Sequence, residues 1–396
     1  MASEDRPPLK SLGSVLVVGG CGFLGSHIVR QLLDSYSCDI SVLDLRTTTN
    51  RYPNVSYHEG NITSLDSLRP IFSAVKPTVI IHTASPAFTS GNAKLHQGKA
   101  RSLFHSVNVT GTSNLLACAS ETPSVQAFIY TSSSSVIHDS VSPLCNANES
   151  YPVLTSPFQP EYYAETKALA ESLVLSHNRH PSSPHLLTAS IRPAGIFGEG
   201  DLQLIAGMMK ALAKRQTAFQ LGPNTNLFDF TYIRRHAAPC RLDHERADGQ
   251  AFFVTNAQPV YFWDFARAVW AAAGDPVSRS CPAGIWTINE TLGLAIAGLL
   301  EWIMWVFTAG TKQPSMTRGV VKYSCMTRYF DTGKAKSVLG YTPVWGLDEG
   351  VARTVRWWKE KEQGKVEPGL GEKAIENDEG EMRSEGEKVA AVVVET

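Results

Sequence analysis

A chain of 396 residues, 43% hydrophobic and 18% charged, can bury a large core, and at roughly 150 residues per domain it has the length for two or three lobes. Its composition excludes an intrinsically disordered protein. The 36 basic and 37 acidic side chains nearly cancel, which leaves no field of one sign for nucleic acid phosphates and excludes a polynucleotide partner.

The charge is unevenly spread. Residues 361–396 hold ten acids and five bases, so this stretch is near −5 and the body before it near +4. Such a body is compatible with an anionic membrane surface and with an ordinary soluble enzyme. Seven cysteines, an odd number with no C-x-x-C pair, point to a reducing compartment. The start, Met1-Ala2-Ser3-Glu4-Asp5, has no apolar signal core, so a cytosol-facing chain is expected. No cluster of His, Cys or carboxylates has metal-ligand spacing, and no metal is expected.

In chain order, residues 1–12 read as a flexible N-terminus. Apolar runs of strand length then follow, from Ser14 to Val18, Ile40 to Leu43, Val79 to His82, Ala127 to Tyr130 and Leu187 to Ile191, with helical periodicity between them. This alternation predicts an α/β fold over 13–200, a doubly wound parallel sheet covered on both faces. A smaller C-terminal substrate lobe is expected over 201–360. It should hold a helix from Asp201 to Ala218, short strands from Phe228 to Ile233 and from Ala251 to Thr255, and a helix from Phe262 to Ala273 stopped by Gly274-Asp275-Pro276.

Within that lobe, residues 291–309 are apolar except for Glu301 and approach the roughly 20 residues of a membrane span. A glutamate at mid-depth costs about 2.5–3.5 kcal/mol, so a buried helix is expected, or one lying in the bilayer interface with Trp302 and Trp305 at the headgroups. Glycine and charge over 361–396 predict a disordered tail.

The run from Ser14 to Val29 reads as a strand, a glycine turn and a helix start, Gly19-Gly20-Cys21-Gly22-Phe23-Leu24-Gly25. Gly19 permits the sharp turn, Gly22 lets the backbone approach a pyrophosphate, and Gly25 lets helix and strand pack closely. The helix N-terminus then offers N–H donors to the phosphates. About twenty residues on, the second strand ends at Asp44, whose carboxylate suits ribose hydroxyls and repels a 2′-phosphate, which points to NAD. Arg46 either pairs with Asp44 or faces such a phosphate, and leaves NADP open.

Tyr163 and Lys167 lie four residues apart, on one face of a helix. A phenol with a pKa of about 10 is a poor base at neutral pH, and a nearby ammonium brings it into range. Upstream, Phe128 to Thr131 runs into four serines, 132 to 135, at the carboxyl end of a strand, where open α/β sheets bind ligands.

These motifs together resemble the extended short-chain dehydrogenase/reductase superfamily, with its Rossmann-type sheet. Within it the chain is similar to the 3β-hydroxysteroid dehydrogenases, closest to their sterol-4α-carboxylate 3-dehydrogenase (decarboxylating) branch. Phe230-Thr231-Tyr232, the stretch from Gln250 to Asn256, the stretch from Pro259 to Phe265, and Leu339-Gly340-Tyr341-Thr342-Pro343 carry that closer likeness.

The resemblance implies a catalytic set of Ser133, Tyr163 and Lys167, the last also holding the nicotinamide ribose. It adds Asn61, Ile62, Thr83, Ala84 and Pro193 to the cofactor-binding glycine loop and Asp44, and makes Asn108 a structural asparagine. It implies oxidation of a ring 3β-hydroxyl on a sterol or triterpenoid, with loss of a 4-carboxylate as carbon dioxide, and a hydrophobic stretch at 291–309 associated with the endoplasmic reticulum membrane. A homodimer is compatible with it.

Two positions depart from the family pattern. Asn61 replaces an aspartate beside the adenine, and Tyr232 to Gly249 carries Arg235 and Pro239 in place of an asparagine and a continuous helix, which puts substrate choice in doubt. A 3β-hydroxysteroid dehydrogenase or ketone reductase without decarboxylation is one rival reading. A dinucleotide sensor that has lost catalysis is another.

Overall fold

The computed structural model describes residues 10–86, 97–233, 246–279, 284–308 and 314–364. The first part of the chain runs β1 (Lys10–Val18), α1 (Phe23–Ser35), β2 (Tyr36–Asp44), β3 (Ser56–Glu59), α2 (Leu65–Val75) and β4 (Val79–His82). Helix α3 (Gln97–Phe104) passes through a π turn at His105–Thr110 into α4 (Gly111–Glu121). Then come β5 (Ala127–Thr131), β6 (Leu144–Ala147), α5 (Tyr162–Ser176), β7 (Leu187–Pro193) and β8 (Gly195–Phe197).

The rest comprises α6 (Leu204–Ala213), β9 (Phe219–Leu221), β10 (Leu227–Phe228), β11 (Phe230–Tyr232), β12 (Gln250–Val254), β13 (Val260–Tyr261), α7 (Phe262–Ala273) and α8 (Pro276–Arg279). It ends with β14 (Trp286–Ile288), α9 (Glu290–Thr308), α10 (Arg318–Cys325), β15 (Arg328–Phe330), α11 (Gly333–Leu339) and α12 (Leu347–Glu362).

Seven parallel strands in the order β12-β7-β5-β4-β1-β2-β3 form the main sheet. Val15 to Val18 of the central strand are fully buried because helices cover both faces, as the unbroken apolar run requires. The chain order reverses direction between β1 and β4, which opens a crevice at the carboxyl ends of those two strands. A second sheet, β13-β10-β15-β6, stands beside the first. Its lobe is packed with aromatic rings, among them Phe230 stacked on Phe265 at 3.7 Å.

The structure corrects several expectations. β1 begins at Lys10 and pairs with β2 from there, so residues 10–12 belong to the sheet and not to a flexible N-terminus. β12, expected in the small lobe, lies beside β7 in the main sheet; its residues 251–254 are buried, Phe253 stacking on Phe330. Helix α6 is shorter than the run from Asp201 to Ala218: the Asp201 carboxylate accepts from the N–H groups of Gln203, Leu204 and Ile205 at its start, and Arg215, at φ +56°, follows its end. α7 ends as expected, with Gly274 at φ +106°. α12 runs to Glu362, past the expected start of the tail, and residues 365–396 lie outside the described residues.

The burial expected for residues 291–309 also fails. Only Gly293 and Ala297 of α9 are buried, against Leu221, Val321 and Met316. Glu301 lies on the same packed side, with Oε2 2.7 Å from Arg318 Nε. Leu299, Trp302, Trp305 and Phe307 are exposed, the last at 82%. Among the described residues this is the one helix long and apolar enough to cross a membrane.

Candidate active site

The glycine turn joins the end of β1 to α1. Gly19 has φ +82°, and a Cβ there would lie 2.7 Å from the Ala84 nitrogen and 2.9 Å from Thr83 Oγ1. Thr83 Oγ1 in turn donates to the Val18 carbonyl at 2.8 Å, locking the loop after β4 against the turn. A Cβ on Gly25 would sit 2.1 Å from the Gly19 carbonyl oxygen, so α1 rests directly on the turn. Gly22 is exposed at the mouth, and Phe23 and Leu24, partly exposed, open the helix behind it. The His27 ring, edge-on to Phe23, bonds the Glu199 carbonyl at 2.8 Å and ties α1 to the loop after β8.

Asp44 closes β2. Its Oδ2 accepts the Cys21 N–H at 3.0 Å, and burial raises its pKa. Arg46 makes no ion pair with it; only its backbone N–H reaches the carboxylate, at 3.5 Å. Asn61 is exposed and spends its Oδ1 on the N–H and hydroxyl of Thr63, while Ile62 is buried. Pro193 ends β7 opposite Val254.

The catalytic candidates converge at the end of β5. Small residues Ala164, Ala168 and Ala170 let α5 lie against the sheet. The Ser133 hydroxyl is hydrogen-bonded to the Tyr163 phenol. Ser132 keeps a buried hydroxyl without a partner, and Ser134 and Ser135 are held by Arg328, so Ser133 is the serine joined to Tyr163. The Tyr163 ring packs edge-on against Phe104 at 5.7 Å. Lys167 Nζ donates to the Thr131 carbonyl at 2.8 Å.

Burial dominates the acid–base state here. It pushes Tyr163 up to about 12, against the pull of Ser133 and Arg328, and takes Lys167 down to about 7, against the pull of Glu171. The group drawing the phenol down besides Ser133 is therefore Arg328, where the sequence pointed to Lys167 alone. His82 is fully buried, bonds Thr112 Oγ1 at 3.1 Å and is held at about 3 by burial and Lys167, which makes it a neutral packing group. Asn108 sits in the π turn and donates to Thr166 Oγ1 at 3.0 Å, fixing α5 between its two functional side chains.

Comparison with known proteins decides the family. The model of the 3-beta hydroxysteroid dehydrogenase/isomerase family matches residues 16–282. The chain belongs to that family. It is 39% identical over 357 residues to the sterol-4-alpha-carboxylate 3-dehydrogenase, decarboxylating, of Schizosaccharomyces pombe, covering 87% of this chain and 97% of that protein. It is 35% identical over 370 residues to the Saccharomyces cerevisiae protein of the same description, covering 89% and 99%. In fold it is similar to the UDP-glucose 4-epimerase of Thermotoga maritima, with a TM-score of 0.61, 18% identity, and coverage of 88% of this chain and 99% of that one.

In this 3-beta hydroxysteroid dehydrogenase family member, the segment carrying Arg235 and Pro239 lies outside the described residues. Arg328 is the site residue that sequence reasoning missed. It enters from β15, almost two hundred positions after the serine loop, and no local spacing marks it.

Proposed function

We propose that this protein oxidises the 3β-hydroxyl of a 4-carboxylated sterol with NAD, and that the 4-carboxylate then leaves as carbon dioxide, a step in sterol biosynthesis. The observation that carries this reading is the Ser133–Tyr163 hydrogen bond with Lys167 at i+4, set at the crevice of a chain so similar to the two yeast relatives. NAD suits the residues present. The cradle at Gly19 and Gly25 has no room for a Cβ, and Asp44 offers a carboxylate where a 2′-phosphate would be repelled.

NAD held by the glycine turn and Asp44 would supply the hydride acceptor for the carbinol carbon and a positive charge to the site. As a phenolate, favoured by the Ser133 hydroxyl and the Arg328 charge against the burial that raises its pKa, Tyr163 accepts the hydroxyl proton, and Ser133 holds the same oxygen. The resulting β-keto acid breaks its bond to the carboxylate carbon, and the electron pair passes into the ketone. Ser133 and the now neutral phenol donate to that developing enolate oxygen. Lys167, lowered to about 7 by burial, gains or loses its charge near neutrality.

Purified protein with NAD and a 4α-carboxysterol is expected to release one NADH and one carbon dioxide per turnover. NADH without gas, from this sterol and its 4-unsubstituted analogue alike, would make the protein a plain 3β-hydroxysteroid dehydrogenase. Measured NAD binding with no NADH from either would leave a sensor.

The same reading sets the enzyme on a cytosol-facing membrane, that of the endoplasmic reticulum. Support comes from α9, whose bare face bears Trp302, 62% exposed, and Trp305, 64% exposed, while Glu301 is paired away on the packed side. The triple variant Trp302→Ser, Trp305→Ser, Phe307→Ser should sediment about tenfold less with phosphatidylcholine–phosphatidylserine vesicles, at an unchanged melting temperature. Equal sedimentation would detach this helix from membrane binding.

A further inference from the structure

We propose that Glu171 is a positioning residue for the proton transfer: clamped by Arg192 and Ser190, its carboxylate keeps the charge on Lys167 and so sets how much of the reactive site exists at neutral pH. This rests on the reading of Ser133, Tyr163 and Lys167 given above.

Helix α5 carries Tyr163, Lys167 and Glu171 four residues apart, so the three follow one another along one face. β7 lies beneath that helix. Thr188, Ser190 and Arg192 alternate along the strand and are all buried, a polar row where a covered strand of a parallel sheet is ordinarily apolar. Thr188 Oγ1 donates to the Val174 carbonyl at 2.7 Å. Ser190 Oγ donates to Glu171 Oε2 at 2.8 Å, and Arg192 Nε lies 3.1 and 3.0 Å from the two carboxylate oxygens. The Phe253 ring lies 5.2 Å from the guanidinium.

An ion pair this deep adds little to stability, because desolvation of both charges offsets their attraction and apolar side chains of similar volume would join helix to strand as well. What the pair supplies is a carboxylate fixed one turn from Lys167. Lys167 is 3% exposed and makes no ion pair with a described carboxylate; its Nζ donates to the Thr131 carbonyl and lies 4.9 Å from the centre of the Tyr130 ring. Glu171 is the anion that supports the ammonium against burial.

The other ionisable groups near Lys167 carry no negative charge at neutral pH. His82 of β4 is neutral, and burial raises the phenols of Tyr130 in β5 and Tyr163 in α5. The π turn and α4 contribute Asn108 and Thr112, while Cys118 and Glu121 of α4 lie with Arg69. Arg101 of α3 stands over the Tyr162 ring, His105 is exposed, and the turn at Ser134–Ile137 brings no ionisable side chain.

An ammonium four residues away favours a phenolate, so the reactive pair is phenolate with ammonium. With Tyr163 at about 12 and Lys167 at about 7, the resting pair above neutrality is phenol with amine, and the reactive pair is the same pair with its proton on the lysine. Below about pH 7 the lysine stays charged and the phenolate fraction rises about tenfold per pH unit. Above it, each gain of phenolate is offset by loss of ammonium, and the rate levels. Withdrawal of the Glu171 charge lets burial take Lys167 lower. Levelling then begins at lower pH and at a lower rate, while the acid branch, where the lysine is charged in either case, stays the same.

The test is the single-turnover rate of NADH formation between about pH 5.5 and 9, with NAD and a 4α-carboxysterol saturating, in wild-type, Glu171→Gln and Glu171→Asp enzyme. The wild-type rate should climb and level near about pH 7. In Glu171→Gln it should level about one pH unit lower, about tenfold below wild type, and meet the wild-type curve on the acid side. Glu171→Asp keeps the carboxylate and should lie between the two. A structural defect instead lowers the rate by one factor at every pH; that result, or a wild-type profile in the glutamine variant, overturns the role of Glu171. NAD titration shows which variants are folded. If Arg192 without its anion prevents folding, the uncharged pair Glu171→Gln with Arg192→Gln is expected to show the same pattern with about a threefold deficit. A wild-type enzyme that forms no NADH from the sterol removes the reading of the site itself, and the role of Glu171 with it.

Discussion

Tyr163→Phe is expected to lower kcat about 1,000-fold or more while the Kd for NAD changes by less than about threefold. The substitution removes one oxygen. The ring stays, and with it the edge-on contact to Phe104 and the register of α5, so the cofactor crevice keeps its walls. What is lost is the acceptor of the hydroxyl proton and the bond to Ser133. Steady-state NADH absorbance gives kcat, and quenching of tryptophan fluorescence gives the Kd. Retained turnover would take the phenol out of the reaction, and a large loss of NAD affinity would make Tyr163 a structural residue.

Gly25→Ala should raise the Kd for NAD about 100-fold and destabilise the protein by about 1–3 kcal/mol, the usual cost of overpacking. The reason lies in the backbone. The new methyl would stand 2.1 Å from the Gly19 carbonyl oxygen and 2.7 Å from the Gly20 Cα, and no side chain can move aside to admit it. Helix α1 must shift away from the turn, which displaces the N–H groups offered to the pyrophosphate. Gly207→Ala in α6 is the control, because its Cβ meets nothing within 4 Å and alanine favours the helix. Its melting temperature should equal or slightly exceed that of the wild type. Thermal denaturation and NAD titration of the two variants check both expectations, and an unchanged Kd in Gly25→Ala would contradict the close-packed turn.

The parts of the site readable in the sequence are those built from local spacing. Gly19, Gly22 and Gly25 need only a strand before and a helix after them, and Tyr163 with Lys167 needs only the helical repeat. Ser133 was readable as one of four serines, but its selection depends on a contact with α5 that spacing does not specify. Arg328 could not be read at all, because it arrives through parallel pairing of β15 with β6 and β10 across long stretches of chain.

The fold divides along the same line. The strands of the first half were marked by apolar runs, whereas β12 carries an equally apolar run whose partner, β7, is set by tertiary packing. Helix α9 shows the limit of hydropathy: its length and composition suit burial, interface and span alike. The small residues Gly293 and Ala297 mark the one side that is covered.

The place of β12 bears on how the protein can be made. A chain released from the ribosome only as far as residue 200 already holds the nucleotide turn, Ser133, Tyr163 and Lys167, yet β7 would then be an edge with a row of unpaired N–H and C=O groups. That edge is sealed only when Gln250–Val254 emerges. Part of the small lobe is thus synthesised before the large one is complete, and the two halves cannot be exchanged as independent modules.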